Sequence, residues 1–545
     1  MDSTPSRHHT MIAYHERTKH HFDRYARSAG YMDWNNQPNP FRLYEGAARI
    51  DLPLATPAPA MTYGQVYAPV REPGVPISHD SVGLFLEYTM GISAWKAAGQ
   101  SRWALRVNPS SGNLHPTECH LIMPPAPGLP GGIYHYSPLL HALEKRASLP
   151  PTLSDLLQCH FSGPGFLVAL STIFWRESWK YGERAYRYCN LDGGHALAAL
   201  ALGARLNHWR MTGVSGAGDD QIGTLLGFHQ TDWAPLEAEV PEMICWVAVD
   251  NAGIAIPRTL SEELTTACAG IPFAGRPNRL SRKPVDWSAI TRAADAARKP
   301  ADTTTPDLVE TPPSPVGSAD TLSAGSVFQR RRSAVSYNPN RTIPADTFLA
   351  ILDRTRPRSG QAPFDAAMTS PAVQLLLFVH RVEDLAPGLY LFNRAPRQLE
   401  AMRSACREEF LWRPAAADLP LYLLREGDMT RDAMTLSCHQ DIAGDSAVAL
   451  AMLAPFGTVL ENRAHLYRHL HWECGMIGQV LYLEATAQGL GGTGIGCFFD
   501  DGVHELLGLK DNAFQDLYHF TIGHPIEDTR VTTLPAYHHL ERPTS

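Results

Sequence analysis

The sequence predicts an α+β fold built from two related domains in tandem, and three observations carry that reading. First, Tyr186–Phe228 lies over Tyr467–Leu509 without a gap; Tyr-Arg opens both stretches, Asp-Asp recurs and Leu-Leu-Gly recurs near the end. Second, the helical runs Gly193–His208 and Gly475–Gln488 are apolar on nearly every face, which places them at the centre of a structure. Third, apolar strand-like runs are mixed with long helices without regular βαβ spacing.

The strand candidates are Cys119–Met123, Phe166–Phe174, Met243–Val249, Gln374–His380 and Tyr518–Gly523, each a short apolar run. Two more pairs strengthen the duplication: Gly132 onward matches Gly388 onward, and Ile77 onward matches Ile343 onward, in the same order. A repeat of domain length is a tandem duplication, not a solenoid. From Lys299 to Ser326 the chain is rich in Pro, Thr, Ser and Asp and nearly free of aromatics, a composition that buries too little apolar surface to offset its ordering entropy. The expected division is therefore a first domain at 1–290 with an N-terminal arm, a disordered linker at 291–326, and a second domain at 327–545.

Composition narrows the function. A chain of 545 residues that is 44% hydrophobic and 19% charged can bury large cores. A net charge of -8 leaves no basic footprint for nucleic acid. No apolar run reaches membrane-spanning length, and the N-terminus lacks a signal-peptide core. Nine cysteines without C-x-x-C or paired spacing suggest reduced thiols, small buried hydrophobes in a cytoplasmic protein. His465, His469 and His471 lack the glutamate and further ligand that a zinc site needs, so no metal is expected.

Three motifs remain. RVNPSSGNLHPTE (Arg106–Glu118) crowds small hydroxyls and backbone amides where a chain could wrap a polar ligand. GLGGTG (Gly489–Gly494) follows a helix where a dinucleotide fingerprint would follow a strand, so it reads as a helix cap and a turn that lets something flat approach, or as a turn with no ligand. Arg331, Arg332 and Ser333 offer two guanidiniums and a hydroxyl suited to a phosphate, although a short basic run is more often a solvated surface.

Together these motifs resemble the nitroreductase-like FMN flavoproteins, in particular the azoline (thiazoline/oxazoline) dehydrogenase branch. The match rests on Arg106 with Pro109-Ser110-Ser111-Gly112, on His115–Glu118, on Trp179–Ala196, on Arg331–Ser333, on GLGGTGIG and on GHPIEDTR (Gly523–Arg530). The resemblance implies two nitroreductase-like domains forming an intramolecular pseudo-dimer, with FMN at their interface. One side would be Arg106, Pro109, Ser110, Ser111 and Asn113; the other Arg331, Arg332, Ser333, Gly491, Gly492 and Arg530. The mirror-image site reads as eroded: PRSGQ (Pro357–Gln361) stands for PSSGN, NHWRMTGVSG (Asn207–Gly216) for the glycine turn, and HERTKH (His15–His20) for the arginine arm. One FMN per chain is expected, in a monomer. Val335 stands where the family usually carries a second basic residue.

Under this resemblance the flavin exchanges hydride with a small-molecule or peptide-derived substrate, and NAD(P)H is a transient donor. Lys180 and Tyr186 are the candidate acid/base residues, against the plainer reading of a surface lysine and an interface tyrosine. The alternatives are an NAD(P)H-dependent nitro or quinone reductase, and a non-catalytic flavin-binding or scaffold protein.

Overall fold

The computed structural model describes residues 6–70, 72–249, 255–307 and 321–540. Two seven-stranded antiparallel sheets form its frame. Five neighbouring strands repeat in the same order in both. In the first half they run Gly132–Ser137, Thr117–Met123, Gly165–Thr172, Val240–Ala248, Arg210–Gly213; in the second, Gly388–Phe392, Gln374–Val379, Val448–Pro455, Phe514–Gly523, Gly491–Ile495. The five expected strands all lie within this set. Thr117–Met123 and Gly165–Thr172 are buried at every residue, because helices cover both sheet faces and leave no polar side for an alternating pattern.

The inner faces of both sheets and two central helices share one continuous hydrophobic core, while each outer face has a smaller core of its own. The halves are therefore one packed body. The central helices are Ala185–Ala204 and Leu466–Ala487, the first buried throughout. They cross at glycines: a Cβ on Gly475 would lie 2.8 Å from the Gly194 Cα, so neither position tolerates a side chain. Tyr186 and Tyr467, matched in the sequence repeat, stack on each other 6.1 Å apart.

Buried ion pairs are exchanged across this pseudo-twofold. Arg187 of the first central helix reaches Asp500 at 2.5 Å, and Arg468 of the second reaches Asp219 at 2.8 Å. Each aspartate is also braced by an arm. Asp500 accepts from the His20 amide and donates its own amide to the His20 carbonyl; Asp219 does the same with Lys299. Helix Arg7–Arg17 precedes His20, and helix Ser288–Ala296 precedes Lys299.

This correspondence moves the domain boundary. Residues 288–304 are the second half's copy of the N-terminal arm, not linker. Of the segment expected to be disordered, 291–296 is helical, Ala297 and Lys299 are buried, and Ala324–Arg330 is a helix capped by Ser323; residues 308–320 lie outside the described residues. Proline and threonine content concealed a segment held by backbone bonds to a buried carboxylate.

A second correction concerns the arginine arm. Tyr63 N donates to Leu322 O and Ala324 N to Met61 O, so helices Tyr63–Tyr67 and Ala324–Arg330 start as mates across the pseudo-twofold. The first-half counterpart of the Arg331 segment is thus the chain leaving Tyr67, not His15–His20. Those residues belong to the arm that packs on the second half.

Candidate functional site

The loop Arg106–Glu118 leaves strand Ser101–Arg106 and enters strand Thr117–Met123. Its polar groups hold its shape. Ser110 Oγ accepts from the His115 amide at 2.8 Å; Asn113 donates to the Ala104 carbonyl and its Oδ1 faces His115 Nε2. Gly112, Asn113 and His115 all take positive φ. Pro109 is buried, while Ser110, Ser111 and Asn113 remain partly open. Arg106 is buried and donates to the Pro40 and Thr117 carbonyls, so its guanidinium braces the loop from behind.

Below the loop lies a feature the sequence reading missed. Asp192, on the first central helix, accepts from the Ser111 amide and from Ser111 Oγ at 3.0 Å. Burial pushes its carboxyl up to about 7. Glu177 is fully buried beside it. Burial, and then the neighbouring Asp192, hold its carboxyl well above the usual range. A charged residue in the apolar run NLDGGHA was the legible sign. Lys180 is also at this loop: its Nζ would meet a Cβ built on Gly112 at 3.2 Å, and it is partly exposed.

From the second half, Arg331 joins the loop. Its Nε donates to the Val107 carbonyl and its Nη2 to the Arg106 carbonyl, both at 3.0 Å, while its guanidinium lies over the Tyr482 ring. Arg332 binds the Ser93 hydroxyl and carbonyl. Ser333 Oγ is 2.9 Å from Tyr482 Oη, and Ser333 pairs with Gly492 in a parallel bridge. Burial, then Arg331, lowers Arg332 to about 10; burial, then Arg332, lowers Lys96. Among the described residues no carboxylate forms an ion pair with Arg331, Arg332 or Lys96.

The glycine motif is a strand, Gly491–Ile495, where a turn was expected; only Gly489 keeps the left-handed conformation after the helix. The flat groups that approach its backbone are the protein's own. A Cβ on Gly494 would strike the Tyr518 hydroxyl, and one on Gly496 the Tyr188 ring. Tyr188 Oη donates to the Gly496 carbonyl, and Tyr518 Oη meets His195 Nε2 at 3.1 Å. Tyr188, Asp192 and His195 share one face of their helix, at i, i+4 and i+7. They form a floor between the loop and the glycine strand. Past Gly496, Cys497 Sγ lies 2.8 Å from Cys438 Sγ, a meeting invisible in the spacing of the cysteines.

One expected site residue is placed elsewhere. Tyr186 points about a third of a turn away from Asp192 and lines a separate cavity behind helix Phe174–Tyr181. Arg530 is exposed and paired with Asp528, just before strand Thr532–Leu534, which pairs with the strand carrying Lys96. At the mirror position, Arg358 of PRSGQ turns inward onto Asp353 at 2.7 and 2.8 Å, so that loop is closed by an ion pair.

Residues 328–524 match the family described as the Nitroreductase family. A candidate nitroreductase of Methanocaldococcus jannaschii is 40% identical over 45 residues, 8% of this chain and 23% of that protein, so the match spans about a quarter of the relative. A crystal structure of a candidate nitroreductase from Anabaena variabilis superposes with a TM-score of 0.70 at 23% identity, covering 95% of this chain and 99% of its own. A chain of the E. coli microcin synthetase McbBCD complex, with truncated pro-MccB17 bound, reaches a TM-score of 0.28 at 17% identity, covering 46% of this chain and 95% of its own. The chain is thus a tandem pair of nitroreductase-like folds packed as one body, and residues 328–524 of its second half match the Nitroreductase family.

Proposed function

We propose that the cleft between Ser110–Asn113 and Gly491–Ile495 holds one FMN and that the chain is a flavin-dependent oxidoreductase. The observation that carries this reading is the cation group Arg331, Arg332 and Lys96, buried or half-buried and in no ion pair among the described residues, at the junction of the two halves. Three like charges drawn together, with only the Glu527 carboxylate acting on Lys96 to offset them, are costly unless an anion joins them, and a phosphate suits paired guanidiniums. Arg332 and Lys96 would hold the phosphate. Arg331, already committed to two carbonyls, would add its charge. The partly open backbone of Ser110–Asn113 and of Thr493–Gly494 would bracket the ring.

When bound, the flavin would supply hydride acceptance and donation. The chain's own contribution is proton handling. Asp192, near 7, is divided between acid and base at neutral pH, and Glu177 beside it stores a proton. Lys180 stands at the open side of the same loop. A base beside a hydride acceptor is what dehydrogenation of a carbon acid needs, which favours oxidation of a peptide-derived azoline. The Nitroreductase family match of residues 328–524 favours a second reading, NAD(P)H-dependent reduction of nitro or quinone acceptors. Anaerobic mixing separates the two. Bleaching of the flavin by an azoline substrate supports the first; bleaching by NADPH followed by reoxidation with a nitroarene supports the second.

A further inference from the structure

A second cavity lies outside this cleft. It occupies about 700 Å³ between helix Ser288–Ala296, helix Asp219–Leu225 and the start of strand Val240–Ala248. Helix Phe174–Tyr181 separates it from the loop Ser110–Asn113. Tyr186, Glu242 and Arg468, all buried, are part of its lining. The Tyr186 hydroxyl is buried and has no hydrogen-bond partner.

The duplication explains why the space exists. His20 corresponds to Lys299 through the two-way backbone brace on Asp500 and Asp219. Lys19, paired with Asp501, then corresponds to Arg298, paired with Asp220. Counting back in the same register sets Tyr14 against Ala293 and His15 against Ala294. In the second half the place is filled: the His15 imidazole sits between Tyr467 Oη at 3.4 Å and Gln515 Oε1 at 3.0 Å, and packs on Phe456. In the first half Ala293 and Ala294 leave that volume open. Tyr186, the mate of Tyr467, is left without the ring nitrogen its partner meets.

We infer that this cavity is a binding site for an aromatic nitrogen base, a molecule that returns to Tyr186 and Glu242 the kind of ring that His15 supplies to Tyr467. Charge favours that class over an acid. Six carboxylates line the cavity, at Asp219, Asp220, Glu239, Glu242, Asp286 and Asp295, against the two guanidiniums of Arg298 and Arg468. Both guanidiniums are committed, to Asp220 and Asp219, and Glu239 is held by Arg42 and His120, so the negative excess comes from Glu242, Asp286 and Asp295, which form no ion pair among the described residues. Glu242 accepts from the Trp472 indole N–H at 2.8 Å with the Arg468 guanidinium acting on it as well; burial outweighs both and pushes it up to about 7, so it can share a proton with a base of similar strength. Trp175, Trp287 and Phe228 supply ring faces for the body of the ligand. The site is independent of the flavin reading, because none of its lining residues belongs to the cleft.

The test uses the purified full chain with 4-phenylimidazole as probe and phenylacetate as its anionic control, by calorimetry. Saturable binding of the azole but not of the acid is expected. Ala294→His should abolish it by restoring the ring found in the other half, and Glu242→Gln should weaken it about tenfold or more, the worth of a charge-assisted hydrogen bond. Tyr186→Phe should weaken it less. Circular dichroism establishes that each variant is folded, and Glu242→Gln, nearly isosteric, carries the test should Ala294→His not fold. Binding of phenylacetate as tight as that of the azole, azole binding unchanged in Ala294→His or Glu242→Gln, or no saturable azole binding would each overturn the inference.

Discussion

Arg331 donates two hydrogen bonds to the carbonyls of Val107 and Arg106, so the second half grips the very segment that leads into the Ser110–Asn113 loop. The guanidinium is buried and its two bonds diverge to successive carbonyls. A lysine carries the charge but not the fork. Arg331→Lys is therefore expected to lose about 3 kcal/mol of unfolding free energy, the worth of one to two hydrogen bonds from a charged donor. Urea unfolding with a linear extrapolation measures it, and a change below about 0.5 kcal/mol would contradict the assigned role.

Asp192 sets a sign for the pH dependence of stability. Its folded carboxyl titrates near 7, above its unfolded value, so the folded state holds the extra proton between the two. The stabilising effect of that proton is complete below about pH 4 and fades as pH rises toward 7, with a slope approaching 1.4 kcal/mol per unit. Asp192→Asn keeps a hydrogen-bonding group beside Ser111 without the titration. The stability difference, variant minus parent, should grow from pH 4.5 to pH 7; a flat difference would place the raised titration elsewhere.

Asp500 carries two guanidiniums, Arg184 at 2.8 Å and Arg187 at 2.5 Å, together with the His20 amide, in a setting closed to water. Removal of one partner of a buried ion pair leaves charge without compensation and costs about 3–5 kcal/mol. Asp500→Ala should fall in that range, and the N-terminal arm should become sensitive to protease in the same variant. Limited proteolysis followed by mass spectrometry of the arm checks the second effect.

Cys497 should be the reactive thiol of the nine. The hydrogen bond from Cys438, with help from His20 and Arg184, lowers it to about 5, and it is partly open to solvent. Alkylation of Cys497 by iodoacetamide should change little between pH 6 and pH 8, where an ordinary thiol gains about a hundredfold. Peptide mapping at the two pH values checks it, and Cys438→Ala, which removes the donor, should restore a steep profile.

The parts of this structure that were legible in sequence share one property: they are local and periodic. The central helices, the five strands and the repeat of Tyr186–Phe228 as Tyr467–Leu509 follow from apolar spacing and register. The parts that were not legible depend on what lies opposite. GLGGTG reads as a turn until the pairing of Gly491–Ile495 with Phe514–Gly523 makes it an edge strand. Lys299 reads as linker until the Asp219 carboxylate takes its amide. Lys180 was named from the family resemblance, and it lies beside Gly112 of the loop. Asp192, six residues beyond Tyr186 on the same helix, was passed over because no spacing rule marks a carboxylate that pairs with a loop 81 residues earlier.

The central claim is that one pocket, made by loop Ser110–Asn113 from one half and Arg331–Ser333 with Gly491–Ile495 from the other, takes one flavin. The direct measurement is the absorbance spectrum of the full chain equilibrated with FMN and freed of excess, read as flavin per chain. A ratio near one is predicted, falling strongly in Arg332→Ala. A protein that stays colourless, or a ratio near two, would contradict it.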